Sequence, residues 1–229
     1  MATETKKGIL RVAAVAAIII LPILGIFYLG KAKWVHKPLD YLGQTETLPD
    51  GTKKYHTLSD IQLTDHTGKT VSMSDFDSCI VVANIFFATC PEICPEMNKQ
   101  VQTVAEKFYR NPKVRFLSIS IDPESDSVPV LKNYAARFRA DRLNWQFCTG
   151  SKKEIYDWVY NDLLLATEQK GQDFIHDDKV VLIDKEKHVR AILQTRGDKN
   201  KDRFQALKRI EEDINNLLYE YRQKELDKR

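Results

Sequence analysis

Glycine and proline are scarce in this 229-residue chain, nine and eight residues respectively, which excludes a collagenous or low-complexity polymer. Cysteine is scarce too. Four residues cannot staple a chain of this length, so their spacing rather than their number carries information. Nor does charge of one sign dominate: 35 basic and 32 acidic side chains are interspersed and leave a formal +3. There is no basic stripe of the kind that nucleic-acid binding requires, and nucleic acid is not an expected partner. The remaining composition, 43% hydrophobic and 29% charged, is that of a packed protein with one ordinary domain plus appendages.

Charge is locally absent over residues 12–29, 18 positions rich in Ala, Ile and Leu. As a helix this run spans roughly 27 Å, close to a bilayer's hydrocarbon core. Lys6, Lys7 and Arg11 precede it and no small-x-small cleavage site follows, so it reads as an uncleaved anchor behind a cytoplasmic N-terminus of residues 1–11. Residues 30–54 are polar, with Pro38, Pro49 and Asp50-Gly51, and read as a linker that lifts a domain off the membrane. The domain itself is expected over residues 55–221, followed by a solvated tail at 222–229.

Within that domain, Asp65-His66-Thr67-Gly68 predicts a hairpin turn. Apolar strands are predicted at residues 80–88, 114–121, 144–147 and 179–184, and helices at 95–109, 128–138 and 152–165. Short, fully apolar strands alternating with helices predict an α/β fold with a mostly parallel central sheet flanked by helices. Leu207, Ile210, Ile214, Leu217, Leu218 and Tyr221 recur at helical spacing and predict a closing amphipathic helix.

The chemistry concentrates at Cys90-Pro91-Glu92-Ile93-Cys94-Pro95, where the first core strand gives way to a helix. Ligands of α/β folds bind at that edge. A four-residue separation brings both sulfurs to one side of a helical turn. Pro95 suits a first helical position and places Cys94 near the N-cap, so the helix dipole is expected to lower the thiol pKa values. Thiolates so placed attack disulfides, react with peroxide or bind soft metals, and the spacing alone leaves these three open.

Five segments in order narrow the choice: Ile61-Gln62-Leu63-Thr64-Asp65-His66-Thr67-Gly68-Lys69, the cysteine motif, Leu117-Ser118-Ile119-Ser120-Ile121-Asp122-Pro123-Glu124, the stretch from Trp145 to Gly150, and His176 before Val181-Leu182-Ile183-Asp184. Over residues 55 to about 197 the chain resembles the Sco/SenC family. The resemblance implies a membrane-anchored, thioredoxin-like copper protein that assembles the dinuclear copper centre of cytochrome c oxidase. It maps the copper ligands onto Cys90, Cys94 and His176, and a carboxylate beside the site onto Asp122. Two thiolates and an imidazole suit Cu(I), while Cu(II) would add an oxygen ligand. Zinc would need a fourth ligand, for which only Asp177 or Asp178 stands nearby.

By the same resemblance the partners are the copper-site domain of oxidase subunit II, a thiol reductant or upstream copper donor, and the membrane. The expected location is a bacterial inner membrane, single-pass, with the domain in the periplasm. A mitochondrial inner membrane is disfavoured by the lack of a presequence. Two other classes compete: a thiol-disulfide oxidoreductase or thiol peroxidase, and a redox or copper sensor. Such oxidoreductases typically use a two-residue spacer and a docking cis-proline before the fourth strand, whereas this chain has three spacer residues and reads His176-Asp177-Asp178-Lys179 there. It departs from the family pattern at Asp177, at the glycine-free turn Lys185-Glu186-Lys187-His188, and in lacking a tyrosine near Leu193-Gln194-Thr195. Cys79 and Cys148 are expected at opposite edges of the sheet as buried, unpaired thiols, with Cys148 on the edge of the site. His36, His56 and His66 fall in linker or turn segments, and Trp145 and Trp158 read as core aromatics.

Overall fold

The computed structural model describes residues 15–25, 38–165, 169–170, 173–174, 178–195 and 200–227. The chain divides into two compact units, residues 1–37 and Pro38–Arg229. In the first, residues 15–25 form a helix (α1) whose apolar side chains stand in the open, with Ile18 71% and Leu21 66% exposed. Among the described residues no helix is long and apolar enough to cross a membrane. The other residues of the expected 12–29 span lie outside the described ones.

The second unit is an α/β domain. Its first elements are a small hairpin, β1 (Thr45–Thr47) with β2 (Lys53–Tyr55), inside the stretch that the sequence assigns to a linker. Residues 38–42 are also tied to the domain: Leu39 and Leu42 pack on the core, and the Leu42 N–H donates to the Val189 carbonyl at 2.8 Å. Next come the expected hairpin, β3 (Gln62–Asp65) and β4 (Thr70–Ser72), a 3-10 turn (Met73–Phe76), and β5 (Ile80–Phe86). Helix α2 (Ile93–Phe108), β6 (Val114–Ser120), α3 (Val128–Arg137), β7 (Trp145–Thr149) and α4 (Lys152–Asn161) follow in alternation. Two short strands, β8 (Gln169–Lys170) and β9 (Asp173–Phe174), pair with each other; β10 (Lys179–Ile183), β11 (Val189–Gln194) and α5 (Asn200–Leu226) complete the domain.

Seven strands form one sheet in the order β11-β10-β5-β6-β7-β3-β4. Here the expectation of a mostly parallel sheet fails. Only the β5/β6 and β6/β7 pairings are parallel; the other four are antiparallel, and the sheet is mixed. The physical reason is that an apolar composition reports burial on both faces and not strand direction. β10 has four fully buried residues out of five, yet it runs antiparallel to β5, with Val180 opposite Asn84. β11 was missed in sequence because the turn before it has no glycine. Lys187 itself adopts the left-handed conformation (φ 67°), and the Asp184 carboxylate closes the turn by accepting from the Glu186 and His188 N–H groups.

The two parallel crossovers advance in the same direction across the sheet, and right-handed connections therefore place α2 and α3 on one face. There the Asn98 amide of α2 donates to the Tyr134 hydroxyl of α3 at 3.2 Å, and Lys107 of α2 pairs with Glu211 of α5. Ile210, Ile214, Leu217 and Tyr221 bury one face of α5, as their spacing predicts, with Leu207 and Leu218 flanking. Trp145 and Trp158 are core residues, 2% and 3% exposed.

Candidate metal centre

The parallel register aligns the carboxyl ends of β5, β6 and β7: Phe86 faces Ser120, and Ile119 faces Cys148. The cysteine-bearing segment leaves β5 at this edge. It turns at once, with the Cys90 N–H donating to the Phe87 carbonyl at 3.2 Å, and enters α2 at Ile93 behind an N-cap at Glu92. The helix thus starts two residues earlier than Pro95 suggests. Proline is tolerated this far in because the first turn's N–H groups have no intrahelical acceptor in any case. One of those N–H groups, that of Cys94, finds an acceptor in the Cys90 sulfur at 3.3 Å. Neither cysteine is in a disulfide, and both are 4% exposed.

Burial overturns the expected acidity of Cys94. Desolvation pushes the Cys94 thiol far above its ordinary value, and the adjoining Cys90 and the Asp126 carboxyl push in the same direction. A helix terminus acts over a short range and supplies about half a charge, which does not offset removal of the thiolate from water. Cys94 therefore holds its proton until something replaces it. Tyr134 shares these surroundings: burial raises its hydroxyl pKa, and the two cysteines add to the effect.

Of the residues singled out in sequence, the structure brings Cys90 and Cys94 together. His176 and Asp177 lie outside the described residues, as does His36. Among the described residues no group of three or more His, Cys, Asp or Glu could hold a metal ion. Asp122 lies two residues beyond β6 and opens a turn: its carbonyl accepts from the Ser125 and Asp126 N–H groups, and its own N–H donates to Ser120 Oγ at 3.1 Å. A second carboxyl, that of Asp126, reaches the cysteine loop: it is fully buried, and its Oδ2 accepts from the Ala88 N–H at 2.9 Å and from Ser120 Oγ at 2.6 Å. The repeated Asp in Asp122-Pro123-Glu124-Ser125-Asp126 was the available signal, since an Asp-Pro turn folds the second Asp back toward the strand end.

Cys148 is completely buried on β7, and burial raises its thiol pKa strongly. Cys79, at the opposite end of β5, donates weakly to the Pro112 carbonyl at 3.6 Å. His56 bonds the Asp162 carbonyl through Nε2, and His66 holds Asp141 through Nε2 while its Nδ1 accepts from the Phe147 N–H. His56 and His66 thus both have structural partners.

A buried dithiol at the carboxyl edge of a mixed α/β sheet is what the comparisons with known proteins address. The SCO1/SenC family model matches residues 49–212. The chain belongs to the SCO1/SenC family. The SCO1 homolog of Bacillus subtilis is 32% identical over 120 residues, 51% of this chain and 62% of that protein. The match therefore spans about three fifths of that relative's length. The domain shares the thioredoxin-like α/β fold of solved Sco structures. BsSco, described as a member of the Sco family of cytochrome c oxidase assembly proteins with a disulfide switch, superposes with a TM-score of 0.62 at 23% identity, over 79% of this chain and 98% of that one. Yeast Sco1 with copper bound gives 0.56 at 21% identity, over 70% and 89%.

Proposed function

We propose that this chain is a copper carrier for cytochrome c oxidase assembly, loading Cu(I) as cargo on Cys90, Cys94 and His176. The single observation that carries the proposal is the buried, reduced Cys90–Cys94 pair at the start of α2, in a chain of the SCO1/SenC family. Two buried thiol sulfurs favour a soft cation with few ligands. The ligand count fits a carrier, because a recipient's thiolates can enter a three-coordinate site and displace its ligands one at a time. Copper-bound yeast Sco1 and the oxidase-assembly role of BsSco support the reading. In it, residues 12–29 anchor the chain in a bacterial inner membrane, the domain faces the periplasm, and the recipient is the copper-site domain of oxidase subunit II.

A second reading is thiol-disulfide exchange, in which the same pair reduces the recipient's cysteines before metal transfer. It is favoured by the contact between the Cys90 sulfur and the Cys94 N–H, which already holds the two residues close together. One variant separates the two. His176→Ala removes an imidazole that a copper carrier needs and a dithiol reductant does not. Competition with a Cu(I) chelator should show a loss of affinity of about tenfold or more, at about 1.4 kcal/mol per factor of ten, with impaired oxidase activity in a complemented strain. Unchanged affinity together with normal oxidase activity rejects the carrier and leaves the reductant.

A further inference from the structure

Asp126 is an expensive residue for a structural task. It is 0% exposed, and its Oδ1 has no hydrogen-bond partner among the described residues. Burial pushes its carboxyl pKa up despite the bonds from Ser120 and Ala88. A buried carboxyl with an orphaned oxygen costs free energy that an apolar side chain in the same place would avoid. Nor does it cap the helix that follows it. Ser127 is the N-cap of α3, with no side-chain capping bond, and both recorded Asp126 bonds go elsewhere.

Those two bonds converge on one atom and join two pieces of backbone. Oδ2 takes the Ala88 N–H, two residues before Cys90, and the hydroxyl of Ser120, the last residue of β6. Ser120 Oγ in turn accepts the Asp122 N–H, and the Asp126 N–H donates back to the Asp122 carbonyl at 2.9 Å. The cysteine loop is thereby stitched to the end of the neighbouring strand inside the turn in which the Cys90 N–H bonds the Phe87 carbonyl.

We propose that Asp126 is a positioning residue for the cysteine pair: it clamps the loop between β5 and α2 against the end of β6, so that the Cys90 and Cys94 sulfurs converge. The inference rests on the two cysteines acting as a pair, as proposed above. The mechanism is effective concentration. A loop free to sample other conformations presents Cys90 to Cys94 less often, and every reaction that needs both sulfurs weakens in proportion.

The test uses the full chain and two probes. The first is the equilibrium with glutathione, in which the dithiol and one oxidised glutathione give the Cys90–Cys94 disulfide and two reduced glutathiones, the two electrons and two protons passing to glutathione. The second is Cu(I) affinity by chelator competition. Asp126→Ala should lower the ring-closure constant about tenfold, equivalent to about 30 mV for a two-electron couple, with a parallel loss of Cu(I) affinity. Asp126→Asn keeps a carbonyl oxygen that accepts both bonds, and should stay within about twofold of the parent on both probes.

A folded Asp126→Ala protein with the parent's ring-closure constant overturns the proposal even if its unfolding midpoint drops, because a merely structural role moves only the latter. Equal defects in Asp126→Asn and Asp126→Ala overturn it as well, since they assign the effect to charge. If Asp126→Ala does not fold, Ser120→Ala, which cuts the strand side of the clamp, takes its place: a shift of about threefold or more supports the clamp, and none rejects it. A parent protein that forms the disulfide but takes up no Cu(I) would sink the copper reading alone and leave the clamp readable on glutathione.

Discussion

Arg190→Met is expected to remove about 4 kcal/mol of folding stability. The guanidinium is 2% exposed and donates to Asp184 Oδ2 at 3.0 Å, to the carbonyls of Leu39 at 2.6 Å and Asp40 at 3.1 Å, and to Glu220 at 3.3 Å, while lying 4.1 Å from the centre of the Tyr41 ring. It thereby ties the strap of residues 38–42, the β10–β11 hairpin and α5 together. Methionine fills the volume of the stem but donates nothing. Asp184, with a side chain 0% exposed, keeps its two turn-closing bonds on Oδ1 but loses the cation on Oδ2. Orphaning one member of a buried pair costs about 3–5 kcal/mol. The Leu39 and Asp40 carbonyls add about 1 kcal/mol at most, because the chain margin can turn toward water. The contact with Glu220, which is partly exposed, adds about 0–1 kcal/mol. These terms overlap, and about 4 kcal/mol is a large share of the roughly 5–15 kcal/mol that holds a domain together.

Equilibrium urea denaturation at neutral pH, followed by far-UV circular dichroism, reads the effect as a lowered midpoint at an unchanged slope. Adding Asp184→Asn to the Arg190→Met background keeps the acceptor that closes the turn and removes the orphaned charge, and should recover about 1–2 kcal/mol. A loss below about 1 kcal/mol in the single variant, or no recovery in the double, refutes the reasoning.

Cu(I) binding must displace the Cys94 proton, whose thiol burial pushes up. Affinity corrected for the chelator's own titration should therefore rise at least about tenfold per pH unit between about pH 6 and 8, and a flat profile contradicts this. At Asp65 burial opposes the charged form, yet bonds from the Thr67 hydroxyl and the Lys69 and Thr67 N–H groups hold the carboxyl below the usual range. A depressed folded-state pKa contributes stability above the unfolded value that is lost as pH falls through the folded one. The stability gap between the parent and Asp65→Asn should thus narrow on acidification, and a gap independent of pH would show the bonds to be irrelevant. Ser118→Ala removes the acceptor of Trp145 Nε1 at 2.8 Å and the donor to Asn84 Oδ1 at 2.7 Å inside the core; thermal unfolding should register a loss of about 2–3 kcal/mol, whereas a loss under about 0.5 kcal/mol would mean the network is replaceable. Cys148→Ala should cost about 1 kcal/mol and leave Cu(I) affinity unchanged, and an altered affinity would enrol Cys148 in the site.

Where a short stretch of sequence contains its own physical cause, the structure follows it. The turn Asp65-His66-Thr67-Gly68 is built from an Asp side chain that caps its own loop and a glycine at φ 86°, both local effects. The α5 face followed from spacing, because one apolar stripe has only one way to be buried. Elements that depend on what lies across the sheet were not legible. The direction of β10 was misread because two covered faces make any strand apolar, and β11 was hidden by a turn in which lysine takes a glycine's conformation.

The same division runs through the site. The sequence by itself determined that two cysteines four residues apart leave a core strand and enter a helix, since that is covalent order plus local backbone preference. It also carried the family's motifs in their order. Only the tertiary structure decided that the thiol is held protonated by burial rather than ionised by the helix, and that the carboxylate stitched to the cysteine loop is Asp126. Desolvation and through-space bonds depend on what the rest of the chain packs around a residue, and no spacing of neighbours along the chain encodes that directly.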